Sequence, residues 1–153
     1  MPSFQKKLKI GHVLAKKDHS VSKKWGAPLA DNGWTAVPNM LLYCQKTLLL
    51  SPLDVNILLH LLTYWWSDDR NPFPSKKTIA QAIGVQPDTV RKRIKKLEEQ
   101  GFVKREPRED ANHRTTSNIY QLDGLIAALT PYAERQLSLN KISREYKRVQ
   151  KNA

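Results

Sequence analysis

Residues 76–106, KKTIAQAIGVQPDTVRKRIKKLEEQGFVKRE, constrain this chain more than the rest of it together. They read as two short helices joined by a tight turn at Gly84, followed by a strand. Ser75 suits the N-cap of the first helix, because its hydroxyl can accept from an unpaired backbone N–H. That helix is expected to bury Ile79, Ala82 and Ile83 and to stop at Gly84, which takes positive φ without steric cost. The second opens at Gln86 or Pro87, where the missing proline N–H costs nothing. Val90, Ile94 and Leu97 recur at i, i+4, i+7 and make one apolar stripe facing a core. Gly101 ends the helix, and Phe102 and Val103 begin an extended segment.

The other side of the second helix is cationic. At about 100° per residue, Asp88, Lys92, Lys95 and Glu99 lie opposite the apolar stripe, with Thr89, Arg91, Arg93 and Lys96 on the flanks. A short helix with a buried stripe and five cations in six positions (Arg91, Lys92, Arg93, Lys95, Lys96) suits a DNA major groove. The alternative is a solvated basic face; the order helix, turn, helix, strand favours the DNA reading.

The phrases TIAQAIGV and QPDTVRKRIKKLEEQGFVKR, a polar loop, and then SNIYQL at 117–122 resemble the winged helix-turn-helix DNA-binding domains of bacterial regulators. GWTAVPNMLL at 33–42 is similar to the segment preceding such domains in small phage- and plasmid-associated proteins, replication initiators among them. The resemblance covers about residues 33–128. It implies a mainly α fold with a small β-hairpin wing, in which the helix from Pro87 is the recognition helix and the hairpin after Gly101 is the wing. It implies DNA binding, and leaves open which process uses it.

Charge placement agrees. The net charge is +12 over 153 residues, and residues 1–24 hold seven lysines against Asp18 alone. Residues 25–86 balance at four against four, residues 87–116 hold nine cations against six acids, and residues 131–153 hold six against two. A neutral body with cationic ends and a cationic helix suits a polyanion. Hydrophobic content of 40% is one domain's worth of core. The single Cys44 excludes an intramolecular disulfide framework and fits a reducing cytosol. Met1 to Lys24 lacks the continuous apolar run of a secretory signal, and Ile57 to Trp66, interrupted by His60 and Thr63, is too short to span a bilayer.

Along the chain, residues 1–32 read as a basic amino-terminal arm and linker. Phe4, Leu8, Val13 and Leu14 could form a short amphipathic helix but for Gly11, and Trp25 to Gly33 is a turn-rich linker. Residues 33–128 read as the winged domain. Trp34 to Val37 is expected as a strand added to the wing sheet, and Pro38 to Lys46 as a helix partly burying Met40, Leu41, Tyr43 and Cys44. A core helix over 52–66 follows, with Ser51 and Asp54 in a capping pattern. Tyr64, Trp65 and Trp66 are expected to close the core with Trp25 and Trp34. The wing is expected as Phe102 to Glu106 paired with Ser117 to Leu122, its tip carrying Arg108, His113 and Arg114. Asp123 caps a short helix through Leu125, Ile126 and Leu129, and Pro131 starts another over 131–150. There Tyr132, Leu139, Ile142, Tyr146 and Val149 fall at heptad-like spacing, with Arg135 the polar member, as a dimer seam or an intrachain contact.

His12, His19, His60 and His113 have no metal-ligand spacing, Asp68 and Asp69 read as a solvated turn, and no phosphate loop, nucleophile elbow or spaced acid pair occurs. No catalytic residue, metal, cofactor or small-molecule ligand is expected. The expectation is a non-enzymatic, sequence-specific double-stranded-DNA-binding protein of the bacterial cytoplasm, nucleoid-associated and homodimeric. Transcriptional regulation comes first, and replication initiation or plasmid maintenance at origin repeats is the alternative. Asp88, Thr89, Arg91, Lys92 and Lys95 would meet base edges or nearby phosphates. Lys76, Lys77, Arg93, Lys96, Arg108 and Arg114 would anchor phosphates.

Overall fold

Two serine-capped helices and a glycine turn organise the core. The computed structural model describes residues 19–65, 67, 70–109 and 116–152. The chain divides into two units, Met1–Trp34 and Thr35–Ala153.

The first unit contains α1 (His19–Trp25) and α2 (Ala27–Asp31), with Gly26 between them at φ 83°. The linker expected at 25–33 is therefore partly helical. Pro28 sits in the first turn of α2, where it costs no hydrogen bond, and Asn32 Nδ2 closes the far end on the Pro28 carbonyl at 2.7 Å. Phe4, Leu8, Gly11, Val13 and Leu14 lie outside the described residues.

In the second unit, α3 (Asn39–Tyr43) is followed by a turn and α4 (Pro52–Leu62). Ser51 and Asp54 form a reciprocal capping box: Asp54 N–H donates to Ser51 Oγ at 3.2 Å, and Ser51 N–H donates to Asp54 Oδ2 at 2.8 Å. Then come α5 (Lys76–Ile83), capped by Ser75 Oγ on the Thr78 N–H, and α6 (Pro87–Glu99). Gly84 between them takes φ 83°, the left-handed conformation that the sequence predicts. β1 (Lys104–Glu106) pairs antiparallel with β2 (Ile119–Gln121), with Arg105 opposite Tyr120, and α7 (Asp123–Asn152) completes the fold.

Leu41, Ile57, Leu58, Leu61, Ile79, Val90, Ile94, Leu97, Tyr120 and Leu122 are the fully buried centre of the core. Val90, Ile94 and Leu97 are the stripe expected from spacing. Ala82 is exposed and Ala80 takes the buried place, because Ile79 and Ala80 rather than Ala82 face the core. Tyr43 is exposed as well, and in the first unit so are Trp25 and Trp34; Trp65 packs against the core of the second unit. Trp66 lies outside the described residues.

Two expected elements take other forms. Residues 34–37 are not a strand. The free edge of β2 is approached instead by the segment before α5: Tyr120 N–H donates to the Pro72 carbonyl at 2.8 Å. The two helices expected around Pro131 are one helix, α7, with the proline inside it. Pro131 removes one backbone hydrogen bond, and Thr130 Oγ1 donates to the Ile126 carbonyl at 2.8 Å in the turn ahead of it.

The entry to α7 is a close backbone crossing. Leu125 N–H donates to the Phe102 carbonyl at 3.0 Å, and a Cβ on Gly124 would stand 1.8 Å from the Gly101 carbonyl oxygen. Only a glycine fits there. The junction ties α7 to the turn that ends α6.

Candidate nucleic-acid interface

α6 is held in place from both flanks by ion pairs, which leaves one face outward. On the first flank, Arg93 Nε donates to Asp54 Oδ1 at 2.7 Å, and Arg93 Nη2 donates to Asp54 Oδ2 and Ser51 Oγ. Asp54 is completely buried. Burial pushes its pKa up, but hydrogen bonds from Arg93 and from the Ser51 N–H and hydroxyl, with the Arg93 charge, outweigh it. The carboxyl stays below the usual carboxylate range. Lys96 Nζ lies 4.0 Å from the same carboxylate. The guanidinium of Arg93, expected from sequence on a DNA phosphate, is thus engaged in docking α6 on α4.

On the second flank, Glu98 ties α6 to the wing. Its Oε1 accepts from the Arg105 N–H at 3.1 Å, and its Oε2 accepts from Arg105 Nε at 2.8 Å and from Arg105 Nη2. The Arg105 side-chain bonds lower the Glu98 pKa against the opposing effect of burial, and the same bonds raise that of Arg105. Helix and hairpin are therefore stapled by a bidentate pair.

Between the flanks lies the exposed face. Asp88 accepts from Arg91 Nε at 2.8 Å and pairs with Lys92 Nζ at 2.9 Å; Lys95 Nζ lies 3.6 Å from Glu99. The Lys92 hydrogen bond, then that of Arg91, lowers the Asp88 pKa. All five side chains are more than half exposed. Exposed pairs of this kind contribute little to stability, so their cations are available to a stronger anion. Thr89, near the helix start, is half-buried.

The remaining expected contacts are spread more widely. Lys77 is exposed and Lys76 half-buried, both in the first turn of α5. Arg108 is exposed beyond β1, its guanidinium 4.3 Å from the centre of the Phe73 ring in a cation–π contact. Arg114 and His113 lie outside the described residues. Arg70, Asn71, Phe73, Glu106, Arg108 and Ile119 line an open cleft beside the hairpin. Sequence reading missed Arg70 there, and it missed Lys104, exposed on β1 and 3.2 Å from Glu106. The run VKRE carried that signal, a strand whose alternate residues face solvent.

Among the described residues, no helix is long and apolar enough to cross a membrane, and no three His, Cys, Asp or Glu side chains could hold a metal ion.

Residues 48–103, from the turn before α4 to the end of the α6 turn, match the model of a helix-turn-helix domain. No curated protein sequence matches the chain. Among solved structures, the chain is similar to the N-terminal domain of the DnaD protein from Geobacillus kaustophilus, at 21% identity and a TM-score of 0.55 over 77% of this chain and 96% of that one. It is also similar to a possible transcriptional regulator from Methanosarcina mazei, at 16% identity and a TM-score of 0.43 over 67% and 82%. A third is the transcriptional regulator SlyA, at 19% identity and a TM-score of 0.39 over 82% and 78%. At 21% identity the DnaD likeness shows the fold alone. Fold and domain match together make this a winged helix-turn-helix chain, as its sequence resembles.

Proposed function

From a winged helix-turn-helix chain whose recognition helix presents one outward face of exposed cations, we propose a sequence-specific double-stranded-DNA-binding protein that regulates transcription. It acts as a homodimer, without catalysis, in the bacterial cytoplasm on the nucleoid. The observation that carries this reading is α6 itself: Asp54 and Arg105 hold its flanks, while Arg91, Lys92 and Lys95 stand free of the core.

In this reading residues 33–128 are the DNA-reading domain. Arg91, Lys92 and Lys95, with Asp88 and Thr89, enter the major groove. Lys76, Lys77, Lys96, Arg108 and Arg114 sit on phosphates and set the register. Arg93 contributes by orienting α6 rather than by touching DNA. Residues 1–32 follow the backbone as a basic arm, and 131–150 pair two protomers. Phosphate binding exchanges the Asp88–Lys92 and Lys95–Glu99 pairs for pairs with a polyanion, so affinity depends steeply on salt.

The test is selection of duplexes from a random pool, then mapping of bound fragments in host chromatin. Enrichment of one motif, with sites at promoters, supports the proposal. Sites in tandem repeats at an origin would move the function to replication initiation or plasmid maintenance. A pool that stays random would remove sequence-specific binding.

A further inference from the structure

Beyond the winged core, α7 runs on with an apolar face that none of the described residues of the second unit covers. Leu139, Ile142, Tyr146 and Val149 are each at least half exposed, and Tyr132 is 38% exposed. With Arg135 they occupy alternating three- and four-residue steps from 132 to 149, the a and d positions of a two-stranded seam.

We infer that this face pairs with the same face of a second copy of the chain, with the two helices antiparallel and the two-fold axis passing between residues 140 and 141. The inference deepens the homodimer reading above and rests on it. Three features select the direction. First, the seam is its own complement when reversed. Leu139 then meets Ile142 of the second copy, Tyr132 meets Val149, and Arg135 meets Tyr146. Each charged guanidinium thus lies against an aromatic ring and keeps its tip at the seam edge. A parallel seam would place Arg135 against Arg135 in the same layer, two like charges facing each other in partly desolvated surroundings.

Second, the charge of α7 is lopsided. Residues 131–140 hold Glu134 against Arg135, whereas residues 141–153 hold five cations against Glu145. Parallel pairing would lay the two basic halves side by side. Antiparallel pairing lays each basic half beside a neutral one.

Third, the arrangement suits a duplex. Tyr132 and its counterpart stand 17 residues apart along the seam, which at 1.5 Å per residue separates the two winged domains by about 25 Å at their attachment points. Recognition helices on successive major grooves must lie roughly 34 Å apart, a span that domains of this size can bridge from such a separation. A parallel seam would bring both domains to one end, side by side.

The test is disulfide trapping in the full chain. One preparation carries Tyr132→Cys and another Val149→Cys; both positions are solvent-exposed in the single chain, and the native Cys44 is buried, so the unaltered chain is the blank. The two are mixed with duplex DNA under a mild oxidant. A disulfide between the two preparations, with little within either alone, supports the antiparallel seam. Self-linked Tyr132→Cys and Val149→Cys products would mean a parallel seam and overturn it. No cross-link, together with a monomer in sedimentation at tens of micromolar, would also overturn it. Leu139→Asp with Ile142→Asp separates this failure from failure of DNA binding. The paired change should abolish dimer formation and weaken binding to a full site at least tenfold, while binding to a half-site stays within twofold. If half-site binding is absent from the unaltered chain as well, the DNA reading itself has failed.

Discussion

Arg93, in the middle of α6, donates Nε to the buried carboxylate of Asp54, the N3 residue of the core helix α4, at 2.7 Å. One acid thus serves two structures, the start of α4 through Ser51 and the seating of α6 through Arg93. Removing one member of a buried pair leaves the other charge uncompensated. Asp54→Ala should therefore destabilise the chain by about 3–5 kcal/mol at neutral pH, measured by denaturant titration. Its pKa is lowered on folding, so the unfolded chain binds the proton more tightly, and stability from this group is complete above the ordinary aspartate value of 3.8. That stability is lost as pH falls through the lowered folded value. The gap in melting temperature between parent and Asp54→Ala should hold from pH 5 to 8 and close in stronger acid. A gap that stayed unchanged as pH fell well below 3.8 would mean that the pair is not what Asp54 provides.

The Gly124–Gly101 crossing makes a separate prediction. A methyl group placed 1.8 Å from the Gly101 carbonyl oxygen meets backbone, which cannot swing aside as a side chain could. Gly124→Ala, though it favours helix intrinsically, should destabilise the domain by about 1–3 kcal/mol, as overpacking does. A thermal melt showing equal or higher stability would refute the crossing.

How far these features were legible in the sequence depends on their range. Gly84, the Ser51 and Ser75 caps and the Val90–Ile94–Leu97 stripe are local, set by spacing and backbone chemistry within one or two turns, and each was readable. Asp54 was readable only as a cap. Both of its oxygens also accept from Arg93, 39 residues away, and nothing in a one-dimensional pattern marks that partnership. The same limit hid Glu98–Arg105, where a helix residue meets a strand that follows a turn. Pro131 misled for the opposite reason: a strong local signal for a helix start was overridden, since Leu125 and Leu129 anchor the helix before it and the chain continues helical after it.

Glu98→Gln tests the staple between α6 and the wing. The amide keeps an acceptor for the Arg105 backbone N–H but loses the charge that faces the guanidinium. Both side chains are partly exposed, so the loss of stability should be modest, about 1 kcal/mol. DNA affinity should fall further than stability does, because the hairpin loses its fixed angle to α6. Unchanged affinity for a full-length site would show that the wing does not need this anchor.

The sharpest test separates sequence reading from attraction. Lys92 stands opposite the buried stripe, with its Nζ 2.9 Å from an exposed Asp88. Lys92→Ala should move stability by less than about 0.5 kcal/mol, as is usual for surface changes. If Lys92 contacts a base edge, specific affinity should fall by roughly 1–3 kcal/mol, with a smaller fall for scrambled duplex. A phosphate contact would lower both together and reduce the log–log salt slope by about one. Ile94→Ala is the control from the other face: fully buried, it should cost about 2–5 kcal/mol in stability. Arg93→Ala supplies a third pattern, a loss of stability with DNA affinity recovered once binding is measured at a temperature where the variant is folded. Titrations of selected and scrambled duplexes at two salt concentrations, with a melt of each variant, distinguish all three. If Lys92→Ala, Lys95→Ala and Arg91→Ala each leave both affinities intact, α6 does not read DNA.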